Sequence, residues 1–482
     1  MGDGFRLERD SLGTGRVPAD AYYGLQTQRA VENFPITGER LHPELIRALA
    51  LVKKAAALAN MEVGLLPPHI GQAIVKAADE VMAGGLADQF VVDPIQGGAG
   101  TSINMNMNEV LASRASELLG GRRGDHALVH PNNHVNMSQS TNDAVPTAVR
   151  LALLRLIDET EGALTDLAAA LEEKAREFRD IVKVGRTHLQ DAVPIRLGQE
   201  FAAWAAAVRR SRDRLRSTAD GLLDVNMGAT AVGTGLNADP GYIKVVVAKL
   251  AELSGYPLRS AANLVDATQN VDVLVAVSGS LKAAAVVLDK VANDLRLLAS
   301  GPRAGLHEIN LPPVQPGSSI MPGKVNPVMA EVINQVAFRV IGNDLTVTLA
   351  AAAGQLELNV MQPVLIYSLI QSITALRNSV RAFTERAVRG ITANPQDIRE
   401  FLDRSVAVVT ALSPHLGYDA AAEVAKEALR TGRPVAEIVR ERGLLSPEEL
   451  AVILSPEELT GPGIAGASLR QRQQGDSSPS RS

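Results

Sequence analysis

The fold is decided by the stretch from Asn270 to Ser300, which reads NVDVLVAVSGSLKAAAVVLDKVANDLRLLAS. It contains VLVAV and then LKAAAVVL, with few charges in between. A helix that is apolar on nearly all sides must be buried on nearly all sides. We therefore expect a long helix that either lies at the centre of a large bundle or is covered by another subunit.

Long helical periodicities flank this stretch. From Leu151 to Glu177, apolar residues recur mostly at steps of three, four or seven, as on one face of a helix. Strand patterns are weak, and no repeat of fixed period stands out. The sequence therefore predicts an all-α, mainly helical chain whose long-helix bundle oligomerises through its helices, with a monomeric helical protein as the alternative. Similar helical stretches run over 198–222, 327–353 and 363–389.

Clusters of Gly and Pro punctuate the chain and indicate its domain boundaries. We predict an N-terminal domain over 1–141, a central long-helix domain over 142–395 and a small C-terminal helical domain over 396–466. Residues 467–482 are rich in Gln, Arg and Ser and carry few apolar side chains. Such a segment cannot bury enough apolar surface to order itself, so we expect a disordered tail.

Composition excludes several classes of protein. The 482 residues are 46% hydrophobic and 21% charged, close to the balance of soluble globular proteins. The net charge of −5 argues against a nucleic-acid binder, which usually shows a basic excess. The absence of cysteine rules out disulfides, thiolate zinc sites, catalytic thiols and cysteine-ligated iron–sulfur clusters.

Neither a signal peptide nor a membrane span is expected. The N-terminus, MGDGFR, has no apolar core. The uncharged run from Leu358 to Leu376 reaches spanning length but contains Asn, Gln, Pro and Ser, so it is interpreted as a buried helix of a soluble protein. We expect a cytoplasmic protein without membrane or nucleic-acid partners.

Four polar segments interrupt the apolar helices and are the candidates for chemistry. They run over 96–108, 134–143, 185–191 and 317–327. Any one of them could be structural, because Ser, Thr, Asn and Asp commonly cap helices and form turns. Together they are rich in neutral hydrogen-bond donors, which suit a small anion such as a carboxylate or a phosphate. The glycines match no phosphate-binding fingerprint and the histidines form no H-E-x-x-H pair, so phosphate and metal binding are less favoured.

The loop GSSIMPGKVNP at 317–327 is the most specific of these segments. Gly317 and Gly323 permit unusual backbone angles, while Pro322 and Pro327 restrict the chain. Such a loop could close as a lid in one geometry, or simply connect two helices.

This loop resembles the signature of the aspartase/fumarase superfamily, whose members cleave a C–N or C–O bond β to a carboxylate and release fumarate. The segments at 97–102, 140–142 and 185–191 resemble its other blocks, in the expected order. The match extends from Glu8 to about Leu454.

Four details resemble the aspartate ammonia-lyase branch more than class II fumarases. They are YYGLQT at 22–27, GGAGTS at 97–102, STN at 140–142 and GQLELNVM at 354–361. Gln362 departs from that pattern, because aspartases often have Glu there. The alternatives are a class II fumarate hydratase, a lyase of larger succinyl substrates, and a non-catalytic helical scaffold or ligand sensor.

The resemblance implies a three-domain, mainly helical fold. The central helices would form a twenty-helix core in a homotetramer, with each site assembled from three subunits. The implied small molecules are L-aspartate, fumarate and ammonia. No organic cofactor and no metal ligands are implied, although some relatives are activated by divalent cations, so activation by Mg²⁺ stays open.

The resemblance also assigns roles to residues. Ser318 would be the base, with Lys324 as a nearby cation or a carboxylate ligand, and His188 a candidate proton donor to ammonia. The carboxylate that receives charge would be held by Ser319, Lys324 and Asn326, with Thr187 and His188 of another chain adding donors. The other carboxylate and the amino group would be bound by Thr101, Ser140, Thr141 and Asn142.

Overall fold

The computed structural model describes residues 4–469, and helices dominate it. The helices before the long central ones are α1 (Leu25–Asn33), α2 (Pro43–Glu62), α3 (Pro68–Met82) and α4 (Thr101–Leu118). The middle of the chain forms α5 (Thr141–Glu177), α6 (Leu197–Ala219), α7 (Pro240–Ser254), α8 (Leu264–Gln269), α9 (Asp272–Leu298), α10 (Val328–Ala352) and α11 (Gln362–Arg386). The last helices are short: α12 (Pro395–Arg404), α13 (Val409–Leu416), α14 (Tyr418–Thr431), α15 (Val435–Glu441), α16 (Pro447–Ile453) and α17 (Pro456–Thr460).

The predicted all-α class is confirmed. The apolar stretch from Asn270 to Ser300 forms helix α9, which begins at Asp272 and ends at Leu298. The other four long helices fall on the predicted stretches, each within a few residues except at the start of α5. That helix begins at Thr141, ten residues before the apolar periodicity, because polar side chains form its first turn. No helix in the described part of the chain is long and apolar enough to cross a membrane.

Strands occur only as short pairs. The described residues contain four two-stranded sheets, formed by β1 with β2, β3 with β4, β5 with β6, and β7 with β8. Their bounds are β1 Phe5–Asp10, β2 Gly13–Pro18, β3 Val182–Thr187, β4 Gln190–Arg196, β5 Asp224–Val225, β6 Arg259–Ser260, β7 Ile309–Asn310 and β8 Thr392–Ala393.

The hairpin β3–β4 was not anticipated from the sequence. Its two-residue turn is His188-Leu189, and both residues have positive φ, 56° and 60°. This is the backbone of a type I′ turn, which normally carries Asn or Gly. Neither residue type is present at the turn, so the usual sequence signal for a hairpin is missing.

The chain forms two compact units, each built from three separate segments. Unit 1 comprises, among the described residues, 4–163, 211–286 and 335–378. In it α2 packs against α3 and α7, while α4 packs against α1 and α3. Its interior contains small apolar side chains of α2 together with the buried residues of α4 and of the first half of α5.

Unit 2 comprises, among the described residues, 164–210, 287–334 and 379–469. It contains the β3–β4 hairpin, the 317–327 loop and the short C-terminal helices. Those helices enclose a small core of their own, against which Leu469 packs. The predicted disordered tail lies, from residue 470 on, outside the described residues. The three predicted domains remain a prediction.

Candidate active site

Residues Ser140, Thr141 and Asn142 form the N-terminal turn of α5 in unit 1. The Ser140 N–H donates to Asp143 Oδ1 at 2.9 Å, and the Asn142 N–H donates to Ser140 Oγ at 3.2 Å. Asn142 Nδ2 donates to the carbonyl of Ala231 at 2.7 Å. These bonds fix the turn, so its side chains are held in one arrangement.

Asp143 ties this turn to a neighbouring loop. Its Oδ2 accepts the N–H groups of Gly228 and Thr230 at 3.1 and 3.0 Å. The side chain is fully buried, and burial raises the pKa of Asp143 to about 6. The three backbone N–H groups and the charge of Lys53 act in the opposite direction and favour the carboxylate.

Near the same turn, Asn136 bonds two helices, α2 and α4. Its Oδ1 accepts from Lys53 Nζ at 3.0 Å, from Asn104 Nδ2 at 3.0 Å and from Asn108 Nδ2 at 3.2 Å. Asn104 Nδ2 also donates to Thr141 Oγ1 at 3.2 Å. The Thr141 hydroxyl therefore accepts a bond from the protein, and its own proton is left to donate elsewhere.

Lys53 is the cation of this network. It is fully buried in α2 and donates also to Gln139 Oε1 at 2.9 Å. Burial lowers the pKa of Lys53 to about 7, while the charge of Asp143 acts to raise it. Lys53 thus places a titratable ammonium in the interior under the α5 turn.

Thr101 begins α4 after a glycine-rich turn. Gly98, Ala99 and Gly100 all have positive φ, so three consecutive residues lie in the left-handed region. Thr101 Oγ1 donates to the Gly98 carbonyl at 2.7 Å and the residue is exposed. The oxygen lone pairs of Thr101 can still accept a bond, for example from an ammonium group.

Thr187 and His188 lie at the tip of the β3–β4 hairpin in unit 2. Thr187 pairs with Gln190, and both predicted site residues are exposed. Asp191 on β4 accepts a 2.7 Å hydrogen bond from Ser405 Oγ, which anchors the hairpin beside its tip. The hairpin thus presents a hydroxyl and an imidazole at the surface of its unit.

The loop at 317–327 folds back on itself. The Gly317 N–H donates to the Lys324 carbonyl at 2.8 Å, and Asn326 Nδ2 donates to the Gly317 carbonyl at 2.8 Å. A Cβ on Gly317 would lie 2.5 Å from the Lys324 oxygen, so no larger residue fits there. Ser318 Oγ accepts the N–H groups of Ile320 and Met321 at 3.2 and 3.0 Å. Two backbone donors therefore point at the hydroxyl oxygen of Ser318.

The predicted residues fall into two groups. Unit 1 holds Thr101, Ser140, Thr141 and Asn142, and unit 2 holds Thr187, His188, Ser318, Ser319, Lys324 and Asn326. Within unit 1, the bond from Asn104 on α4 to Thr141 on α5 brings the starts of these two helices together. Ser319 and Lys324 are exposed on their loop.

Sequence reasoning missed the residues that support these groups. Asn136 and Asp143 lie inside a polar segment already singled out, but their bonding partners are distant in sequence. Lys53 gives no signal, because it is one of two adjacent lysines in an alanine-rich helix. Among the described residues, no group of three or more His, Asp or Glu could hold a metal ion.

The chain matches the family model described as Lyase over residues 13–342, and the model described as Fumarase C C-terminus over residues 408–461. It is 58% identical over 466 residues to an aspartate ammonia-lyase of Bacillus sp, covering 97% of this chain and 100% of that one. It is 50% identical over 465 residues to the aspartate ammonia-lyase of Escherichia coli (strain K12), covering 96% of this chain and 97% of that one.

Solved structures agree with these matches. A fumarate lyase:delta crystallin from Brucella melitensis, bound to cobalt, superimposes with a TM-score of 0.92 at 52% identity, covering 95% of this chain and 100% of that one. A class II fumarase from Schistosoma mansoni superimposes with a TM-score of 0.89 at 37% identity, covering 94% and 98%. The fold and the matched segments define a lyase of the fumarase type. The chain belongs to the aspartase/fumarase superfamily, and the resemblance noted in the sequence is confirmed.

Proposed function

We propose that this protein is an aspartate ammonia-lyase, a carbon–nitrogen lyase that converts L-aspartate reversibly into fumarate and ammonia. The observation that carries the proposal is an identity of 50% and 58% to lyases of that name over nearly the whole chain. The class II fumarase among the solved structures is 37% identical. The branch details noted in the sequence favour the same choice.

In the proposed mechanism Ser318 is the base. As an alkoxide, its oxygen takes a proton from C3 of aspartate, and the electron pair of that C–H bond moves onto the adjacent carboxylate. A free serine is far too weak a base for this step. The N–H groups of Ile320 and Met321 support the role, because donors aimed at an oxygen favour its charged form.

The carboxylate next to C3 becomes a dianionic enediolate. Ser319, Lys324 and Asn326 are proposed to hold it, with Thr187 and His188 adding donors. Preorganised donors that meet developing charge lower such a barrier by several kcal/mol. The enediolate then collapses, the C2–N bond breaks, and fumarate and ammonia leave. His188 is the candidate for protonating the leaving nitrogen.

The other end of aspartate is assigned to unit 1. Thr141 accepts a bond from Asn104, so its hydroxyl proton suits a carboxylate oxygen. The hydroxyl proton of Thr101 is donated to the Gly98 carbonyl, so its oxygen can accept a hydrogen bond from the substrate amino group. Ser140 and Asn142 complete the proposed site for the second carboxylate and the amino group.

We infer further that the protein is a homotetramer with sites shared between three subunits. Helix α10 supports this, because Phe338, Ile341, Leu345 and Leu349 recur along one face and are 62, 39, 61 and 63% exposed in the single chain. An exposed apolar stripe of this length marks an interface. The neighbouring exposed residue Gly342 lets a partner helix approach closely.

Three expectations from the sequence stay predictions. They are the absence of an organic cofactor, the open question of activation by Mg²⁺, and a cytoplasmic location. Activity retained after dialysis tests the first. Activity after dialysis against a chelator, with and without added Mg²⁺, tests the second.

The deciding experiment measures fumarate by its ultraviolet absorbance, with L-aspartate in one cuvette and L-malate in another. Fumarate formed from aspartate alone, with equimolar ammonia, is the expected result. Formation from malate alone would make the protein a fumarate hydratase. A folded protein that is silent with both would point to larger succinyl substrates or to a scaffold.

A further inference from the structure

A buried cluster of charges lies in unit 2, outside the residues proposed for the reaction. Lys183 on β3 is 1% exposed and Glu308, just before β7, is 0% exposed. Lys183 Nζ lies 2.9 Å from Glu308 Oε2 and 2.9 Å from Glu200 Oε1. Arg186 donates to Glu308 Oε1 at 2.6 Å. The cluster therefore contains two carboxylates and two cations, and Glu308 forms an ion pair with each cation.

Both cations belong to the hairpin that carries Thr187 and His188. Lys183 and Arg186 are residues of β3, and Arg186 directly precedes Thr187. The guanidinium of Arg186 also lies over the ring of Phe401, 5.8 Å from its centroid. Glu308 thus fixes the hairpin strand at two points, one of them next to the tip.

The main chain of Glu308 is fixed as well. Its N–H donates to the carbonyl of Leu298 at 2.9 Å, and its carbonyl accepts the N–H of Asn394 at 2.9 Å. The next two residues form β7, which pairs with β8. Glu308 is therefore a fixed point of the backbone, located where α9 ends and the segment to the Ser318 loop begins.

That segment is stiff. Between Glu308 and Ser318 the chain contains Pro312, Pro313 and Pro316, whose φ angles are restricted by their rings. Pro312 packs directly on the backbone of Gly390, where an added Cβ would lie 2.5 Å from the proline ring. The prolines and the contact with Gly390 restrict the segment through which a displacement at Glu308 would reach the Ser318 loop.

We propose that Glu308 is a positioning residue that holds the Thr187–His188 hairpin in register with the segment that carries Ser318. The inference rests on the proposed function only in giving these two elements a part in the reaction. A stabilising role alone is a poor explanation for the cluster, because replacing buried ion pairs by apolar side chains is often neutral or stabilising.

The first test uses Glu308→Gln, which keeps the shape of the side chain and removes its charge. We expect kcat/KM for L-aspartate to fall about 10- to 100-fold, because small displacements of reacting groups cost rates of this order. Asp344→Asn is the matched control: Asp344 is also buried and bonds Lys282 and Ser278. We expect that control to change kcat/KM less than twofold.

A second variant separates positioning from stability. Glu308→Gln together with Lys183→Met leaves one acid and one base in the cluster, so its charge balance returns. We expect the melting temperature to recover relative to Glu308→Gln while kcat/KM stays low. Recovery of kcat/KM to within twofold of the unmodified protein would show that Glu308 only balances charge, and would overturn the proposal.

A third measurement does not depend on activity. Hydrogen exchange of backbone amides should become faster in Glu308→Gln over both 183–196 and 311–326, and stay unchanged in α14. Faster exchange in one segment only, or in neither, contradicts the proposed link. If exchange becomes faster in both segments but the unmodified protein does not convert aspartate, the result would support the link and refute the proposed function.

Discussion

At the scale of single residues, the Ser318 hydroxyl is set apart by its two backbone donors. An oxygen that accepts two N–H groups is stabilised when it carries negative charge, and this is the property that the proposed base requires. The same bonds also hold the turn of the loop, so the hydroxyl shapes the loop as well as supplying the base.

Replacing Ser318 by Ala tests the proposed base. We expect kcat for L-aspartate to fall at least about a hundredfold, since a positioned base contributes that much or more, with the oligomeric state unchanged in light scattering. Ser446→Ala is the control, because Ser446 bonds only at the start of α16. Near-normal turnover of Ser318→Ala would remove the residue from the base role.

Lys53 makes a prediction about stability and pH. The folded pKa of about 7 lies below the unfolded value of 10.5, so above pH 7 the unfolded chain binds more protons at this site than the folded chain. The contribution of Lys53 to the free energy of unfolding should therefore rise from pH 7 towards pH 10, by roughly 1.4 kcal/mol per unit at most.

Urea unfolding of the protein and of Lys53→Met between pH 7 and 9 measures this contribution. As the pH rises, the free energy of unfolding of the unmodified protein should increase relative to that of Lys53→Met. Lys54→Met is the control, because its neighbour Lys54 is half-buried and bonds Asp79 at 2.7 Å. Parallel pH profiles for the protein and Lys53→Met would contradict the buried-ammonium interpretation.

At the scale of elements, the β3–β4 hairpin carries a strained residue. Leu189 has a φ of 60° and is 70% exposed, so its side chain gains little packing within the single chain for the strain it bears. A left-handed backbone costs an ordinary L-residue about 1 to 2 kcal/mol, and glycine avoids that cost. Strain of this kind is often retained where a residue has a function.

We therefore expect Leu189→Gly to raise the free energy of unfolding by about 1 kcal/mol. Leu429→Gly on α14 is the matched control, because Leu429 is 71% exposed within a regular helix and should lose about 1 kcal/mol instead. Denaturant titration of both variants measures whether the free energy of unfolding increases or decreases in each. A loss of stability in Leu189→Gly would refute the assigned strain.

The elements also show how far the sequence alone can lead. Helix α9 was predicted to within two residues, because a long apolar stretch with few charges is typical of a buried helix. The hairpin was missed because its turn, His188-Leu189, contains neither Asn nor Gly, the residues that usually indicate a type I′ turn. The candidate site segments were singled out by their polarity and remain a prediction. Lys53 and Glu308 were not singled out, because their contacts are made with residues distant in sequence.

At the scale of the whole molecule, shared sites can be tested by mixing inactive variants. Ser318→Ala and Thr141→Ala should each have low activity as homo-oligomers. If the two residues of one site come from different chains, tetramers re-formed from an equal mixture should regain about a quarter of full activity. The chain that supplies residue 318 carries Ser in about half of the sites, and the chain that supplies residue 141 independently carries Thr in about half.

The control for mixing is the protein carrying both substitutions in one chain, combined with the unmodified protein. If both residues of a site came from one chain, the mixture of single variants would stay inactive. This outcome would contradict the shared site while leaving the proposed reaction intact.

The discontinuous make-up of the two units has a consequence for the newly made chain. Unit 1 includes residues 335–378 and the described part of unit 2 extends to residue 469, so neither can close until most of the polypeptide has left the ribosome. Until then the apolar faces of α9 and α10 lack their final neighbours. Such nascent chains are prone to aggregate, so a protein of this design should depend on chaperones during synthesis more than one whose domains finish in order.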